Sequence, residues 1–371
     1  MASETWGSLF TWFAQLYQRE LEELYERCFK AHGDLGVSRE SLTVRLYEVV
    51  ESSFLQNELR DVTDPIVLTF LKNIYVNDLY LAAGTLKGNS RALEVFEATY
   101  DPFLLELALF YRPEQCKAER LTKLVFGSVL KPPKTRNEIS ISIASYDGRS
   151  SLKAWLLALL ACSTAKHLHR LPSLSKLLAT DSKGTVLPFN KDKDPEESSS
   201  PEVTALPSRD RLLTLLMLTL NLQPRDIAVF FHTKTRTLND QAGTVMETIQ
   251  EHFPEESNAA AKRIWSRAAR REAKARLAAV AVNALCPTSR HERAVTCLDP
   301  NLLASYFEGR LSFEEEETAD TKAMTCVECL RKLMEMIVLS DYAVSRKILD
   351  KPSRSAVRKP QMAKNGTPNG A

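Results

Sequence analysis

The chain has 371 residues, and its 49 lysines and arginines nearly balance 47 aspartates and glutamates, which gives a formal net charge of +2. Hydrophobic residues make up 44% of the sequence and charged residues 26%, as in ordinary globular proteins, and at roughly 150 residues per domain the length predicts two or three domains. Only 12 glycines occur, and neither GxGxxG nor GxxxxGKS/T is found, which argues against dinucleotide-binding and P-loop proteins.

Three sequence features bear on location. No apolar run reaches the roughly 18–20 residues that a membrane-spanning helix needs, so we expect no membrane association. The first residues lack the basic segment of a secretory signal. The seven cysteines are an odd number without a dense disulfide pattern, which predicts a reducing, cytoplasmic setting.

Residues 1–74 are predicted to form an N-terminal helical extension. Trp6, Phe10 and Phe13 recur at three- and four-residue spacing, which is the period of one helix face. The dipeptide Asp64-Pro65 suits a helix start, because proline is tolerated at the first helical position. Alternating strand patterns are few, and the chain as a whole is predicted to be an all-α, multi-domain protein.

Residues 75–172 are predicted to form a first helical module. Asp147-Gly148 marks a turn. A strong apolar helix face follows this turn, and its members are Leu152, Trp155, Leu156, Leu159 and Leu160. Residues 173–207 combine prolines, serines and a run of charges, and this composition predicts a flexible linker.

Residues 208–256 carry the pattern of a helix-turn-helix. A leucine-rich helix precedes a short helix that begins at Pro224, and a polar break at residues 232–234 separates that helix from a second one. Ala228 suits a close crossing of two helices, since only a small side chain fits there. Side chains in the first turns of the second helix would reach base edges in a major groove; they are Thr235, Arg236, Thr237, Asn239, Asp240 and Thr244. An ordinary helical hairpin is the alternative.

Several segments in the right order resemble the extracytoplasmic-function class of bacterial sigma factors. They are residues 77–83 (NDLYLAA), 88–93 (GNSRAL), 96–100 (FEATY), 118–126 (AERLTKLVF), 146–156 (YDGRSSLKAWL) and 165–170 (AKHLHR). The linker and the helix-turn-helix follow them, so the resemblance covers about residues 77–253.

The resemblance implies a two-module initiation factor that binds core RNA polymerase and promoter DNA. The first module would dock on polymerase and help to open the −10 element, and the second would read the −35 element. The residues implied in polymerase binding are Glu119, Leu121, Thr122, Lys123 and Phe126. Those implied in DNA binding by the first module are Lys153, Lys166 and Arg170, whose charges suit phosphate contacts. A solvated basic face is the alternative for these cations, while Trp155 is expected to be a buried anchor.

The docking segment departs from the family pattern at three positions. Arg120 stands where the family has an acidic residue, Lys123 where it has glutamine and Leu124 where it has glutamate. A partly reversed charge predicts weakened, re-targeted or lost polymerase binding. The second hypothesis is therefore an interaction or signalling protein that keeps the scaffold without initiating transcription.

Residues 286–346 are predicted to form a small helical module that contains cysteines. Cys297, the segment YFEGRLS at residues 306–312 and the CxxC pair at Cys326 and Cys329 resemble the zinc-finger-like domain of anti-sigma factors. Within that segment Gly309 is expected to end one helix, and Ser312 to cap the next with a glutamate three residues on. The resemblance implies zinc bound by the three cysteines.

A fourth zinc ligand is not evident in the family position. Tetrahedral zinc takes four nitrogen or sulfur ligands, but Lys322 occupies the place of the family's histidine, so His291 or Cys286 would have to serve. A metal-free helical module is one alternative, held by apolar contacts among Leu302, Leu303, Tyr306, Leu330 and Leu333. A redox-sensitive thiol cluster is another, and a metal or thiol sensor is the third functional hypothesis.

The order of the modules implies regulation in cis, with the C-terminal module masking the sigma-like ones. Residues 257–285 are predicted to form a basic helix between them, and residues 347–371 a disordered basic tail. Neither HExxH nor GxSxG occurs and no paired carboxylates stand out, so we expect no enzymatic activity.

Overall fold

The computed structural model describes residues 2–54, 64–111, 115–130, 142–167, 206–219, 224–252 and 297–350. Within these ranges every regular element is helical and there is no strand, which confirms the all-α prediction. The predicted linker and basic helix lie outside the described residues, as does the tail from residue 351 onward. No helix in the described part of the chain combines the length and the apolar character needed to cross a membrane.

The first eight α-helices and a 3-10 helix (Ile143–Ser145) precede the linker. They are α1 (Ala2–Leu16), α2 (Gln18–His32), α3 (Arg39–Phe54), α4 (Asp64–Asn73), α5 (Val76–Leu86), α6 (Ser90–Tyr111), α7 (Gln115–Val129) and α8 (Leu152–His167). The helices after it are α9 (Ser208–Thr219), α10 (Pro224–Phe230), α11 (Thr235–His252), α12 (Pro300–Phe307), α13 (Phe313–Thr325) and α14 (Val327–Ser345).

Helices α1–α3 pack on one another and continue the core of the first module. Phe13 lies 5.2 Å from Tyr17 and 5.5 Å from Tyr47, measured between ring centroids, so aromatic contacts join α1 to α3. Helix α2 packs on α5, where the hydroxyl of Tyr80 donates a hydrogen bond of 3.1 Å to the carbonyl of Gly33. The N-terminal extension is therefore tied to the first module by buried contacts.

Helix α8 is enclosed on all sides. Every side chain from residue 154 to residue 162 is buried, and Trp155 packs edge-on against Tyr146 at 5.6 Å. An apolar stripe would need only one neighbouring surface, whereas a helix apolar all round must be surrounded. Helices α6, α12 and α14 supply that surrounding layer, so residues far apart in the chain build one core around α8.

Helices α10 and α11 form the predicted helix pair, and α9 is the leucine-rich helix that precedes it. Pro224 is the first residue of α10, where the missing N–H costs nothing. The turn before α11 contains His232 at a φ of 51°, a left-handed conformation that glycine usually adopts. The ring Nε2 of His232 lies 2.9 Å from the carbonyl oxygen of Phe307, and this contact fixes the turn against α12.

The helix ends of the C-terminal module follow the predicted local signals. Asp299 caps α12 by accepting a hydrogen bond from the N–H of Leu302 at 2.9 Å. Gly309 has a φ of 66° just after α12, as expected of a residue that ends a helix. Ser312 and Glu315 form a reciprocal capping box at the start of α13.

The C-terminal module lies against both preceding modules. Helices α12 and α14 pack on α8 of the first module, while α13 packs on α9 of the second. Leu303, Tyr306, Leu330 and Leu333 are buried in this core, and Leu302 packs on its edge. The apolar residues that the sequence singled out in this module therefore share one core.

Candidate nucleic-acid interface and cysteine cluster

Helix α11 has one buried face and one exposed face. Leu238, Ala242 and Val245 point into the core at helical spacing. The predicted DNA-binding residues of this helix are all exposed and share its outer surface; they are Thr235, Arg236, Thr237, Asn239, Asp240 and Thr244. The structure therefore brings the whole predicted set of α11 together on one accessible surface.

The outer surface of α11 is lightly constrained by its own side chains. Arg236 and Asp240 face each other across one turn at 3.9 Å, but their side chains are 93% and 72% exposed. An ion pair this open contributes little to stability and leaves both groups able to meet a ligand. The hydroxyl of Thr244 donates to the backbone carbonyl of Asp240 at 3.2 Å.

Contacts on the core side of the helix pair fix the turn before α11. Ala228 is buried between the helices, as its small side chain predicted. Gln241 donates a hydrogen bond of 2.8 Å to the carboxylate of Asp210 and so ties α11 to α9. These contacts fix the direction in which the outer surface of α11 faces.

The first module presents one of its three predicted DNA-binding cations. Lys153 is exposed at the start of α8, and its Nζ lies 5.9 Å from the ring centroid of Phe103. The side chain of Lys166 and the whole of Arg170 lie outside the described residues. Trp155 is fully buried, in agreement with its predicted role as an anchor.

Helix α7 divides the predicted polymerase-binding residues between surface and core. Glu119 and Lys123 are exposed and Leu121 is half-buried. Thr122 and Phe126 are buried instead, with Phe126 packed edge-on against Phe96 at 5.6 Å, so these two residues belong to the core and offer no docking surface. The positions that depart from the family pattern lie outward: Arg120 and Lys123 are exposed, and Leu124 is 64% exposed.

The three predicted metal ligands come together in space. The sulfur atoms of Cys297, Cys326 and Cys329 all lie within 4.8 Å of one another. Zinc–sulfur bonds of about 2.3 Å in a tetrahedron place the sulfur atoms about 3.8 Å apart, so a small inward movement would bring these three sulfur atoms to three of the four corners. The cluster could therefore hold a metal ion.

The surroundings of Cys329 favour its neutral thiol. Burial raises the pKa of Cys329 to about 12, although the N–H of Leu298 opposes this shift by donating to its sulfur at 3.4 Å. Lys332 donates a hydrogen bond of 2.8 Å to the carbonyl of Leu298 and fixes that segment. Lys322 lies in the last turn of α13, and His291 and Cys286 lie outside the described residues.

A set of charged residues that the sequence did not single out joins the C-terminal module to the rest of the chain. Arg149, after the Asp147-Gly148 turn, pairs with Glu315 of α13 at 2.5 Å. Arg209 of α9 pairs with Asp320 of the same helix at 3.2 Å and lies 3.8 Å from Glu316. One acidic helix thus contacts an arginine from each of the two preceding modules.

The Arg209 contact is largely buried and includes three hydrogen bonds from its guanidinium. Its guanidinium donates to the hydroxyl of Tyr306 at 2.7 Å and to the carbonyl of Phe231 at 3.0 Å. Burial raises the pKa of Asp320, an effect that Arg209 opposes, and the hydroxyl of Tyr306 donates to the same carboxylate at 2.5 Å. The only sequence signal for this network was the acidic start of α13, which reads equally well as a solvated helix end.

Comparison with known proteins returns no relative: no family model, curated protein or solved structure matches the chain. Within the described residues, the features that bear on function are the outer surface of α11, the cysteine cluster and the contacts of the C-terminal module.

Proposed function

We propose that this chain is a sigma-factor-like regulator of transcription initiation, which binds promoter DNA through α11 and core RNA polymerase through α7. The observation that carries the proposal is the helix pair α10–α11, with Leu238, Ala242 and Val245 buried and the opposite surface exposed. A helix held in this way by a tight turn has the form of a recognition helix that enters a major groove.

The outer surface of α11 presents side chains of the types that recognise base edges in a DNA duplex by direct hydrogen bonds. Arginine pairs well with guanine and asparagine with adenine, while an aspartate can accept from cytosine. Arg236, Asn239 and Asp240 supply these groups within the first two turns. The exposed Glu247 and Glu251 further along would repel phosphates, so contact is restricted to the N-terminal half of α11, where the helix dipole is also positive.

Regulation in cis is the second part of the proposal. Helix α13 pairs with Arg149 and Arg209, and α12 and α14 cover α8, so the C-terminal module fixes the first two modules relative to each other. The outer surface of α11 stays exposed in this arrangement. The C-terminal module would therefore control the spacing of the modules and access to α8 rather than cover the recognition helix.

We further propose that the cysteine cluster binds zinc. Three thiolates within 4.8 Å of one another are a soft donor set that zinc prefers. When bound, zinc would link the segment before α12 to the first turn of α14, since Cys297 precedes α12 and Cys329 lies in α14. In that position its role would be to link the two segments that carry the cysteines.

The decisive experiment is a pull-down of the full chain with core RNA polymerase, followed by run-off transcription from a promoter library. Recovery of the complex and a transcript that depends on the protein support the proposal. Duplex binding that weakens as salt is raised is the matching test of α11. A protein that neither binds core polymerase nor binds duplex in a salt-dependent way is not a sigma-like factor.

One observation favours a second candidate, an interaction or signalling protein that does not initiate transcription. The outer surface of α7 presents Arg120, Lys123 and the 64% exposed Leu124, which suits an acidic partner with an apolar centre. A triple variant that restores the family pattern distinguishes the two candidates in the same pull-down. Its substitutions are Arg120→Glu, Lys123→Gln and Leu124→Glu. Polymerase binding that appears only in this variant supports the second one.

A further inference from the structure

Helix α11 contains a glycine that the fold itself does not need. Gly243 is the ninth residue of this 18-residue helix, well away from either cap. A Cβ added there would meet no atom within 4 Å, so no neighbouring group in the described part of the chain requires its absence. Glycine inside a helix is about 1 kcal/mol less favourable than alanine. The chain therefore carries a destabilising residue that brings its own packing no benefit.

The position of Gly243 on the helix is informative. It follows Asn239 and Asp240 by one turn and Arg236 by two turns, so it lies on the same line of the surface. Ala242 and Val245 on either side of it point into the core. Gly243 therefore occupies the outermost line of α11, in the middle of the proposed reading surface.

We infer that Gly243 is the point at which the backbone of α11 approaches the base edges of duplex DNA. A bare backbone lets the helix lie deeper in the major groove, by roughly the length of a carbon–carbon bond. At that depth Arg236 and Asn239 reach base edges with their polar ends. This inference rests on the proposed function and adds a positioning residue to the reading surface.

The same geometry selects the kind of nucleic acid. The major groove of B-form DNA admits an α-helix, whereas that of A-form RNA is too narrow. A helix that presents bare backbone at one point of its outer surface, here Gly243, is fitted to a groove floor and not to a flat surface of splayed bases. Duplex DNA is therefore the ligand, and its contact with the N-terminal half of α11 includes the bare backbone at Gly243.

Gly127 provides a matched control. It also lies inside a helix, α7, and a Cβ added there likewise meets no atom within 4 Å. Gly127 is the third residue from the end of α7, so its replacement by alanine should stabilise its helix in the same direction as at Gly243 but by a smaller amount. Only Gly243 lies on the α11 surface, so the two variants separate an effect on the fold from an effect on DNA binding.

The test uses the full chain and a fluorescein-labelled duplex pool with a randomised central segment. Gly243→Ala should raise the thermal unfolding midpoint and weaken duplex binding about tenfold, an opposition that a merely structural glycine would not produce. Gly127→Ala should raise the midpoint and leave duplex binding unchanged. Gly243→Ser provides a second variant with a small side chain and should also weaken binding.

The outcomes separate this inference from the proposed function. If the wild-type chain binds the pool and both Gly243 variants bind it equally well, the inference is overturned while DNA binding stands. It is also overturned if Gly127→Ala weakens binding as much as Gly243→Ala does. A wild-type chain that binds no duplex overturns the proposed DNA-binding function, and the inference with it.

Discussion

Glu308 binds Ser151, the residue that precedes α8 and lies 157 positions earlier in the sequence. Its carboxylate accepts hydrogen bonds from the backbone N–H of Ser151 at 3.2 and 3.1 Å and from the Ser151 hydroxyl at 2.5 Å. Asp78 accepts from the next N–H, that of Leu152, at 2.8 Å. The start of α8 is thus satisfied by two carboxylates from different parts of the chain, and one of them belongs to the C-terminal module.

Removal of the Glu308 carboxylate should loosen that module. In Glu308→Ala the N–H of Ser151 loses a charged acceptor in a mostly buried position, which should lower the free energy of unfolding by about 1–3 kcal/mol. Urea denaturation measures this change. The exposed Glu314 on α13 provides a control, because Glu314→Ala should stay within about 0.5 kcal/mol of wild type. Equal effects of the two variants would contradict a capping role for Glu308.

Arg209 should be among the most sensitive positions of the interface. Arg209→Met leaves the carboxylate of Asp320 buried without its cation, and the free energy of unfolding should fall by about 3 kcal/mol at neutral pH. The loss should shrink in acid, because Asp320 then takes up a proton and no longer needs the cation. Denaturation at several pH values measures both effects.

The control for Arg209 is an arginine in an open ion pair. Arg19 pairs with Glu23 on α2, and their side chains are 88% and 65% exposed. Arg19→Met should therefore change stability by no more than about 0.5 kcal/mol. A small effect at Arg209, comparable with that at Arg19, would show that the α9–α13 contact contributes no stability.

Asp78 should make the stability depend on pH. Burial is the main cause that raises the pKa of Asp78 above its ordinary value of 3.8, and the nearby Glu308 adds to it, while the hydrogen bond from Leu152 opposes it. The folded chain therefore keeps this proton at a pH where the unfolded chain has lost it. As pH rises from about 4 through the raised folded pKa, the contribution of Asp78 to stability is lost.

The variant Asp78→Asn removes this titration. Its free energy of unfolding should rise relative to wild type between about pH 4 and pH 7, even if the lost charge lowers the stability by a constant amount. Denaturation curves for both proteins across that range give the difference. A difference in the free energy of unfolding that does not change with pH would contradict a raised pKa of Asp78 in the folded chain.

Local signals predicted what local interactions determine. The turn at Gly309 and the capping box of Ser312 and Glu315 depend on residues at most three apart, and the structure has all of them. The contact of Glu308 with Ser151 could not be predicted, because it depends on how helices far apart in the chain pack. The same holds for Arg209 and Asp320, whose pairing follows from the placement of α13 on α9.

The assignment of α7 shows a different limit. Thr122 and Phe126 were expected on a docking surface because their segment resembles one, but both are buried. The phase of the helix contained the necessary signal, since Ala118, Thr122 and Val125 recur on one side with Phe126 beside them. A resemblance assigns a segment to a role, and only the helical period separates its inner residues from its outer ones.

The cysteine cluster gives the last prediction. Metal analysis of the purified full chain should find about one zinc per chain, and Cys326→Ser should lose it because one of three clustered thiols is gone. Zinc occupancy should fall as pH falls, since protons compete with zinc for the sulfur atoms, and at Cys329 burial already disfavours the thiolate. Cys162→Ala provides the control, because Cys162 is buried in α8 outside the cluster and its loss should leave the zinc content unchanged. A wild-type chain purified with zinc in the buffer but free of bound metal would contradict the zinc site, and the cluster would then be three free thiols, of which those of Cys326 and Cys329 are buried.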